Sequence, residues 1–337
     1  MKIFLRSPNW IGDCVMSLPA IRALKDSLPE IEIVLITKPH LSSIYKNIPG
    51  IADVVLIPSG KGILNFFKTV FLLKKYRIKK GILLTNSFNS ALSLRLSGVK
   101  DLTGYVRDMR GWLLSGKGKF PGKSVHQIEF YMGLIKLYLN KNIDSSFSNG
   151  LVIHVNETET AENILRAQGC GKGDRKIGIS PVAAYGTSKE WPVEKFIDLI
   201  REIEKNPGAK KVILFGSEKD EDRIKLISDA VLSPVIAITG KYSLREAISV
   251  ISICDLFIGN DSGLLHVADG LNIPSIGLFG PTSPDTSAPL GDRTEIIYKN
   301  VDCSPCSYRE CPLDHKCMSE ISVAEIFNKT KKILEPS

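Results

Sequence analysis

Short apolar runs alternate with amphipathic segments along the whole chain, and this alternation limits the possible folds more than any other feature of the sequence. Strand-like runs such as KIFLR, IEIVLIT and SIGLFG are separated by stretches whose apolar residues recur at helical spacing. Strands that alternate with helices predict parallel sheets with helices on both faces. We therefore expect an α/β fold built from doubly wound sheets.

The length of the chain predicts more than one domain. At 337 residues it exceeds the usual domain size, which is about 150 residues. The sequence becomes polar and rich in glycine near QGCGKGDRK (168–176). We place a first domain at 1–160, a second at 170–320 and a terminal helix at 321–337.

Charge is distributed unevenly between the two halves. Residues 1–150 hold 22 Lys and Arg against 9 Asp and Glu, a net charge of +13, whereas the remainder carries −5. A basic first half suggests an anionic partner, although a solvated basic surface explains the charge equally well. Nucleic acid is a poor candidate partner because no nucleic-acid-binding motif accompanies the charge.

The sequence contains no segment typical of membrane insertion or export. No apolar run reaches the length of about 18 residues that a membrane helix needs, and the chain begins with a strand rather than a leader peptide. We therefore expect a cytoplasmic protein. The apolar and basic stretch 63–80 could be a helix on a membrane surface, but its position before the strand GILLTN favours a crossover helix.

The stretch RSPNWIGDCVMSLPA (6–20) leads from the first strand through a glycine into a helix. Such a turn is the usual phosphate site of an α/β protein. The residue placed there is Asp13, however, and a carboxylate repels phosphate. Asp13 either caps the helix at 14–28 or serves as a general base, and the local pattern leaves both interpretations open.

The second half presents polar residues after four of its strands, at NDSGLLH, GPTSP, AAYGTSKEWP and SEKDEDR. Because ligands bind beyond the carboxyl ends of parallel strands, these turns predict a nucleotide diphosphate site. The candidate residues are Lys189, Glu218, Asp220, Asp261, Ser262, Gly263, Leu264, His266 and Thr282. GxGxxG after a strand and the P-loop motif are absent from the sequence. The sequence also has no DxD pair suited to holding a divalent metal on a diphosphate. Helix N-termini and basic side chains would therefore meet the charge of a diphosphate leaving group.

Four cysteines cluster near the end of the chain, at Cys303, Cys306, Cys311 and Cys317, with His315 among them. Zinc ligation is conceivable, but the spacing lacks the paired C-x2-C…C-x2-C form. A cytoplasmic location disfavours disulfides. We therefore expect reduced structural thiols and no metal.

These segments together resemble the ADP-heptose:lipopolysaccharide heptosyltransferases of glycosyltransferase family 9. The resemblance is carried by PNWIGDCVMSLPAIRALK, LLTNSFNSAL, HQIEFYMGL, AAYGTSKEWP, GNDSGLLHVADGLNIPSIGLFGPTSP and the cysteine cluster, and it covers nearly the whole chain. NWIGD, TNSFNSAL and the cysteines are most similar to the branch that makes the second heptose transfer, heptosyltransferase II.

The resemblance implies a GT-B fold, in which two Rossmann-like doubly wound domains face each other across a cleft and the terminal helix crosses back to the first domain. It implies an inverting, metal-independent transfer of heptose from ADP-L-glycero-β-D-manno-heptose to the heptose of the lipid A–Kdo–heptose inner core. The donor would bind the second domain and the acceptor the first, and no cofactor is needed. Asp13 matches the base of the family and Lys189 a diphosphate contact.

Acceptor contacts are expected in the basic first half. The candidates are Asn9, Trp10, Arg107 and Arg110, with Lys117, Lys119 and Lys123 in an expected loop at 105–124. We further expect a monomer that lies on the cytoplasmic face of the inner membrane. The alternatives are heptosyltransferase I or a related enzyme with another nucleotide-sugar donor and, from a different class, a non-enzymatic protein that binds anionic surfaces.

Overall fold

A computed structural model of the protein describes residues 1–60, 62–122, 124–143, 150–206 and 210–334. The chain forms two compact units, Met1–Val152 and Ile153–Ser337. Each unit is built on its own six-stranded sheet, and each is described below by itself.

The first unit has a parallel sheet with helices between its strands. The strands are β1 (Lys2–Arg6), β2 (Glu32–Thr37), β3 (Ile51–Leu56), β4 (Lys80–Leu83), β5 (Asp101–Val106) and β6 (Gly116–Lys119). The helices are α1 (Ile11–Met16), α2 (Leu18–Ser27), α3 (Ile63–Lys74), α4 (Phe88–Leu96) and α5 (Gln127–Leu139). The strand order is β3-β2-β1-β4-β5-β6. Central strand β1 carries Ile3, Phe4 and Leu5 fully buried, as expected for a strand of a parallel sheet that is covered on both faces.

The second unit repeats this plan. Its strands are β7 (Arg175–Ser180), β8 (Lys210–Phe215), β9 (Ile236–Ile238), β10 (Leu256–Asn260), β11 (Ser275–Phe279) and β12 (Thr294–Tyr298). Its helices are α6 (Val155–Arg166), α7 (Val193–Glu204), α8 (Glu221–Ala230), α9 (Leu244–Ile251), α10 (Gly263–Gly270), α11 (Pro284–Ser287), α12 (Lys316–Ser319) and α13 (Val323–Leu334). The order β12-β11-β10-β7-β8-β9 places the first strand of the unit between its second and fourth, as in the first unit.

The predicted fold class is confirmed, because both sheets are parallel and doubly wound. In each unit the order of strands reverses between the first and fourth strands, which is where such sheets bind ligands. The domain boundaries at 1–160, 170–320 and 321–337 stay predictions. Helix α6 belongs to the second unit, where Glu157 forms a buried ion pair with Arg245 (2.7 Å from Oε1 to Nε).

The terminal helix α13 joins the core of the second unit through Ile326 and Leu334. Its apolar residues recur at helical spacing, so one face of the helix is buried against α7 and β10. The expectation that it crosses back to the first domain stays a prediction.

The expectation of one loop at 105–124 is wrong. Strand β5 extends to Val106, and β6 pairs with it in parallel. The sequence of β6, GKGK, offers no apolar alternation, which explains why this strand was not predicted. Its Gly118 is required by packing, because a Cβ there would lie 2.8 Å from the Tyr105 ring.

Helix α3 confirms the crossover helix expected within 63–80, since its own residues Val70 and Leu73 are buried. Its other face is unusual for a crossover helix. Three large apolar side chains have high exposed fractions: 68% for Ile63, 75% for Leu64 and 63% for Phe71. Within the described residues, every helix is too short or too polar to traverse a bilayer.

Candidate active site

The end of strand β10 holds a cluster of polar side chains around Asp261. This carboxylate is 6% exposed and forms an ion pair with Lys189, whose side chain is 12% exposed. Asp261 Oδ2 also accepts a hydrogen bond from Thr282 Oγ1 (2.6 Å), and Nε2 of His266 lies 4.0 Å from Oδ1. The structure therefore brings together four of the predicted donor-site residues. Lys189, Asp261 and Thr282 follow β7, β10 and β11, and His266 lies on helix α10.

The N-terminus of helix α10 follows this cluster directly. Ser262 is the N-cap residue, but its side chain makes no capping hydrogen bond. Ser262 Oγ and Asn260 Nδ2 are buried and have no hydrogen-bond partner among the described residues. The first backbone N–H groups of any helix also lack intrahelical partners. Gly263 and Leu264 begin the helix, so unpartnered donors converge at a point suited to an anion.

The loop after β7 is braced on both sides of Lys189. Glu190 accepts a hydrogen bond from the backbone N–H of Ala183 (3.1 Å) and forms an ion pair with Arg223 of α8. The backbone N–H of Trp191 donates to Asn260 Oδ1 (3.0 Å). These contacts fix the loop against the neighbouring strand ends and so orient Lys189 toward Asp261.

The structure does not bring Glu218 and Asp220 into that cluster. Asp220 accepts hydrogen bonds from the backbone N–H and hydroxyl of Ser217 (2.8 and 2.6 Å), so it caps the short turn after β8. Glu218 is exposed at the same turn. Among the described residues, neither carboxylate hydrogen-bonds to the Asp261 cluster. Their assignment to the donor site stays a prediction.

Asp13 lies inside helix α1 rather than at its cap. Trp10 is the N-cap residue and Asp13 belongs to the first helical turn, so the interpretation of Asp13 as N-cap of a helix at 14–28 is wrong. Helix α1 begins at Ile11, three residues before the start that was predicted. Burial and the negative charge of Asp13 hold the pKa of Tyr131 well above its ordinary value. The Asp13 carboxylate therefore lies close enough to the buried phenol of Tyr131, on α5, to influence its ionisation.

The predicted acceptor residues occupy different environments. Asn9 is half-buried and accepts a hydrogen bond from Arg6 Nη2 (3.0 Å), whereas Trp10 is 50% exposed. Arg107 is exposed and lies over the ring of Phe120 (4.5 Å from Cζ to the centroid).

Arg110 is fully buried rather than solvated. It donates to the carbonyls of Tyr105 (3.0 Å) and Thr85 and to Asn86 Oδ1 (3.0 Å). These hydrogen bonds tie the end of β5 to the turn after β4. Lys117 and Lys119 belong to strand β6, and Lys123 lies outside the described residues.

The cysteine segment packs on the loops that follow β7 and β11 in the second unit. His315 Nε2 lies 2.6 Å from the carbonyl oxygen of Ser188, and the backbone N–H of Cys306 donates to the carbonyl of Pro281 (3.0 Å). All four thiols are free, and burial together with the neighbouring thiols raises the pKa of Cys317 to about 11. Over the described ranges, His, Cys, Asp and Glu side chains form no group of three or more arranged to hold a metal ion.

Two residues of this region were missed by the sequence analysis. Tyr185 lies between two cations, with Lys189 Nζ 5.0 Å and Arg309 Cζ 5.2 Å from its ring centroid. Tyr185 precedes Lys189 by four residues, so its proximity was a local signal. Arg309 comes from the distant cysteine segment and had no such signal.

The fold is that of known glycosyltransferases. A solved structure of the E. coli ADP-heptose LPS heptosyltransferase II superposes on the chain with a TM-score of 0.85 at 24% identity, over 99% of this chain and 98% of that one. The chain therefore has the GT-B fold.

The sequence places the chain within a family. Residues 68–317 match the model of Glycosyltransferase family 9 (heptosyltransferase), and the chain belongs to this family. It is similar to lipopolysaccharide heptosyltransferase 2 of Salmonella typhimurium, at 29% identity over 88% of each chain. It is also similar to lipooligosaccharide heptosyltransferase 2 of Campylobacter jejuni, at 24% identity over 100% of this chain and 99% of that one.

Family membership makes the chain a glycosyltransferase and sets aside the non-enzymatic alternative.

Proposed function

We propose that the chain is a heptosyltransferase II, which transfers heptose from ADP-L-glycero-β-D-manno-heptose to the heptose of a lipid A–Kdo–heptose inner core with inversion and without a metal. Its membership of glycosyltransferase family 9 and its similarity to heptosyltransferase 2 proteins over 88% or more of their length support this proposal.

The observation that carries the proposal is the set of unpartnered donors around the N-terminus of α10. Buried hydroxyl and amide groups nearly always find a partner, so Ser262 Oγ and Asn260 Nδ2 indicate a ligand that accepts hydrogen bonds. The oxygens of a diphosphate are such acceptors. The ion pair with Lys189 neutralises Asp261, which would otherwise repel the ligand, and the helix dipole adds about 0.3–1 kcal/mol.

In the proposed reaction Asp13 accepts the proton of the acceptor hydroxyl. The hydroxyl oxygen forms a bond to the anomeric carbon as the bond from that carbon to the diphosphate oxygen breaks. Attack from the face opposite the leaving group inverts the anomeric configuration. The electron pair leaves with ADP, whose charge is met by Lys189 and by the backbone N–H groups of Gly263 and Leu264. We include no metal ion because Lys189 and these backbone N–H groups can donate hydrogen bonds to the charged leaving group.

The exposed face of α3 supports a position on the cytoplasmic face of the inner membrane. Three large apolar side chains, Ile63, Leu64 and Phe71, are more than 60% exposed on a helix that also carries Lys68 and Lys74. An apolar face with flanking lysines suits an anionic lipid surface. Binding to phosphatidylglycerol vesicles should exceed binding to phosphatidylcholine vesicles, and replacement of Leu64 and Phe71 by Ser should reduce it. Equal binding by the variant would remove α3 from the contact.

Transfer should be assayed with ADP-heptose and two acceptors, a lipid A core that carries one heptose and a core that carries none. We expect transfer to the first acceptor, an inverted linkage in the product and the same rate with EDTA. Transfer only to the core without heptose would instead identify a heptosyltransferase I. A thermal-shift comparison of ADP, UDP and GDP tests the donor, and stabilisation by UDP or GDP alone would contradict the proposal.

A further inference from the structure

The loop that follows β7 is held by the segment that carries the four cysteines. The backbone N–H of Ser188 donates to the carbonyl of Arg309 (3.1 Å), and the hydroxyl of Ser188 donates to the carbonyl of Tyr308. Gly186 permits this close approach, because a Cβ there would collide with the carbonyl of Arg309. The backbone of Arg309 is therefore fixed against the loop that carries Lys189, although the two residues are far apart in the sequence.

The ring of Tyr185 holds the side chain of Arg309 at the same place. The Tyr185 hydroxyl donates to the carbonyl of Ser307 (2.7 Å), and the Arg309 guanidinium lies over the ring (5.2 Å from Cζ to the centroid). Nζ of Lys189 lies 5.0 Å from the same centroid. The face of an aromatic ring attracts cations, but two cations around one ring also repel each other. An anion bound beside them would relieve this repulsion.

The other charges at this loop are already balanced. Lys189 forms its ion pair with Asp261, and Arg223 forms one with Glu190. Arg309 forms no ion pair with the residues that the structure describes, and its guanidinium donates no hydrogen bond to them. Among these five side chains one positive charge is therefore in excess, and it belongs to Arg309.

The stacked guanidinium is free to bind a phosphate group. A guanidinium is planar and carries its five N–H donors along its edges, so a ring against its face leaves these donors accessible. Phosphate oxygens can accept two parallel hydrogen bonds from such an edge. Arg309 is exposed, so a ligand can reach the donors. Because the ring already restricts the side chain, binding costs less conformational entropy than it would for a freely moving arginine.

We propose that Arg309 is a second cation of the donor site and binds the diphosphate of the nucleotide sugar. Asp261 partly neutralises Lys189, so a further cation is needed to stabilise the negative charge that develops on the leaving diphosphate. Tyr185 is a positioning residue, which acts by holding the guanidinium in place. This inference rests on the proposed function, since it takes a nucleotide diphosphate as the leaving group.

The test is to titrate ADP and adenosine into the full chain, in the wild type and in Arg309→Gln, followed by ligand NMR. Arg309→Gln should weaken ADP binding about tenfold, as expected when hydrogen bonds from a charged donor are lost. Adenosine carries no phosphate, so its affinity should not change. In the transfer assay the variant should have a raised KM for ADP-heptose and a lower kcat, while the KM for the acceptor stays the same.

Arg293→Gln is the matched control. Arg293 is an exposed arginine of the same unit that immediately precedes β12 and donates to the carbonyl of Asn272 (3.2 Å). It therefore lies at the amino ends of the parallel strands, away from the loop of Lys189. Its variant loses the same charge and should bind ADP as the wild type does. Thermal melting of all variants verifies that they fold.

Two further variants test how Arg309 acts. Arg309→Lys should recover only part of the ADP affinity, because an ammonium lacks the planar set of donors. Tyr185→Leu removes the ring, so Arg309→Gln should weaken ADP less in that background than in the wild type. Equal effects of Arg309→Gln in the two backgrounds would overturn the positioning role of Tyr185.

Three results would overturn the role of Arg309: unchanged ADP affinity in Arg309→Gln, an equal loss of affinity for ADP and adenosine, or an equal loss in Arg293→Gln. None of these results affects the proposed function as long as the wild type binds ADP and transfers heptose. A wild type that does not bind ADP would instead contradict the proposed function, and the role of Arg309 with it.

Discussion

The two units share a strand order but differ in the charges at the ends of their strands. In the second unit the buried cation Lys189 is paired with the carboxylate of Asp261, next to a helix N-terminus with unpartnered donors. In the first unit the buried cation Arg6 has only neutral hydrogen-bond acceptors, and an acid, Asp13, occupies the first helix. The same backbone plan thus carries an ion pair beside a helix N-terminus in one unit. In the other unit it carries a carboxylate on the first helix and a buried guanidinium with neutral acceptors.

This difference shows that the topology of a sheet does not by itself determine what the carboxyl ends of its strands bind. In both units, helices begin beyond the carboxyl ends of parallel strands. The side chains at those ends determine whether the site attracts an anion or removes a proton. We therefore propose that the second unit binds the donor and that the first unit abstracts the proton. The variants below test this proposal, from the largest expected effect to the smallest.

Asp13→Asn should have the largest effect. An amide cannot accept the proton of the acceptor hydroxyl, so kcat should fall by roughly 10²–10⁴-fold, the usual contribution of a general base. Asp26→Asn, an exposed acid on α2, is the matched control and should keep the wild-type rate. If Asp13→Asn retains transfer within a few-fold, the base lies elsewhere.

Lys189→Ala should weaken ADP and also destabilise the second unit. The substitution leaves Asp261 buried without its cation, and breaking a buried ion pair costs about 3 kcal/mol or more in free energy of unfolding. ADP affinity should fall at least tenfold, because a hydrogen bond from a charged donor contributes about 1.5–3 kcal/mol. Calorimetric titration and chemical denaturation measure the two effects. Unchanged ADP affinity in the folded variant would remove Lys189 from the donor site.

Arg110→Met tests whether Arg110 stabilises the fold, binds the acceptor, or does both. Arg110 is buried with three hydrogen-bond acceptors, so the free energy of unfolding should fall by about 2–3 kcal/mol as those acceptors lose their donor. Arg107→Gln, at an exposed neighbour, should leave stability nearly unchanged. A raised acceptor KM in a stably folded Arg110→Met would show that Arg110 also contacts the substrate.

Ser262→Ala should have the smallest effect on ADP affinity, a loss of several-fold. It is informative because the hydroxyl has no partner in the described protein. Its removal should therefore not reduce thermal stability, in contrast to a hydroxyl with a structural role. A lower melting temperature together with unchanged ADP affinity would contradict a ligand-binding role for Ser262.

Much of the fold could be predicted because its strands are continuous apolar runs. β10 and β11 are buried at every residue inside a parallel sheet, and their sequences, LFIGN and SIGLF, are correspondingly apolar. β6 could not be predicted, because only Gly118 of GKGK is buried. Its burial comes from close packing against Tyr105 and not from an apolar side chain.

The candidate site was predictable to the extent that it follows strand ends. The rule that ligands bind beyond parallel strands selected the turns of Lys189, Asp261 and Thr282. The contact between Lys189 and Asp261 joins residues 72 positions apart, so no local spacing could reveal that the two charges pair. The burial of Arg6 and its neutral hydrogen-bond partners could not be predicted, because they depend on strand β2 and on the turn that follows Arg6.

The central claim, that base and donor site belong to different units, is tested most directly by titrating ADP into Asp13→Asn in a calorimeter. The account predicts a dissociation constant within about twofold of the wild type in a variant whose transfer has collapsed. A dissociation constant weakened tenfold or more would place Asp13 in the nucleotide site and contradict the division of roles.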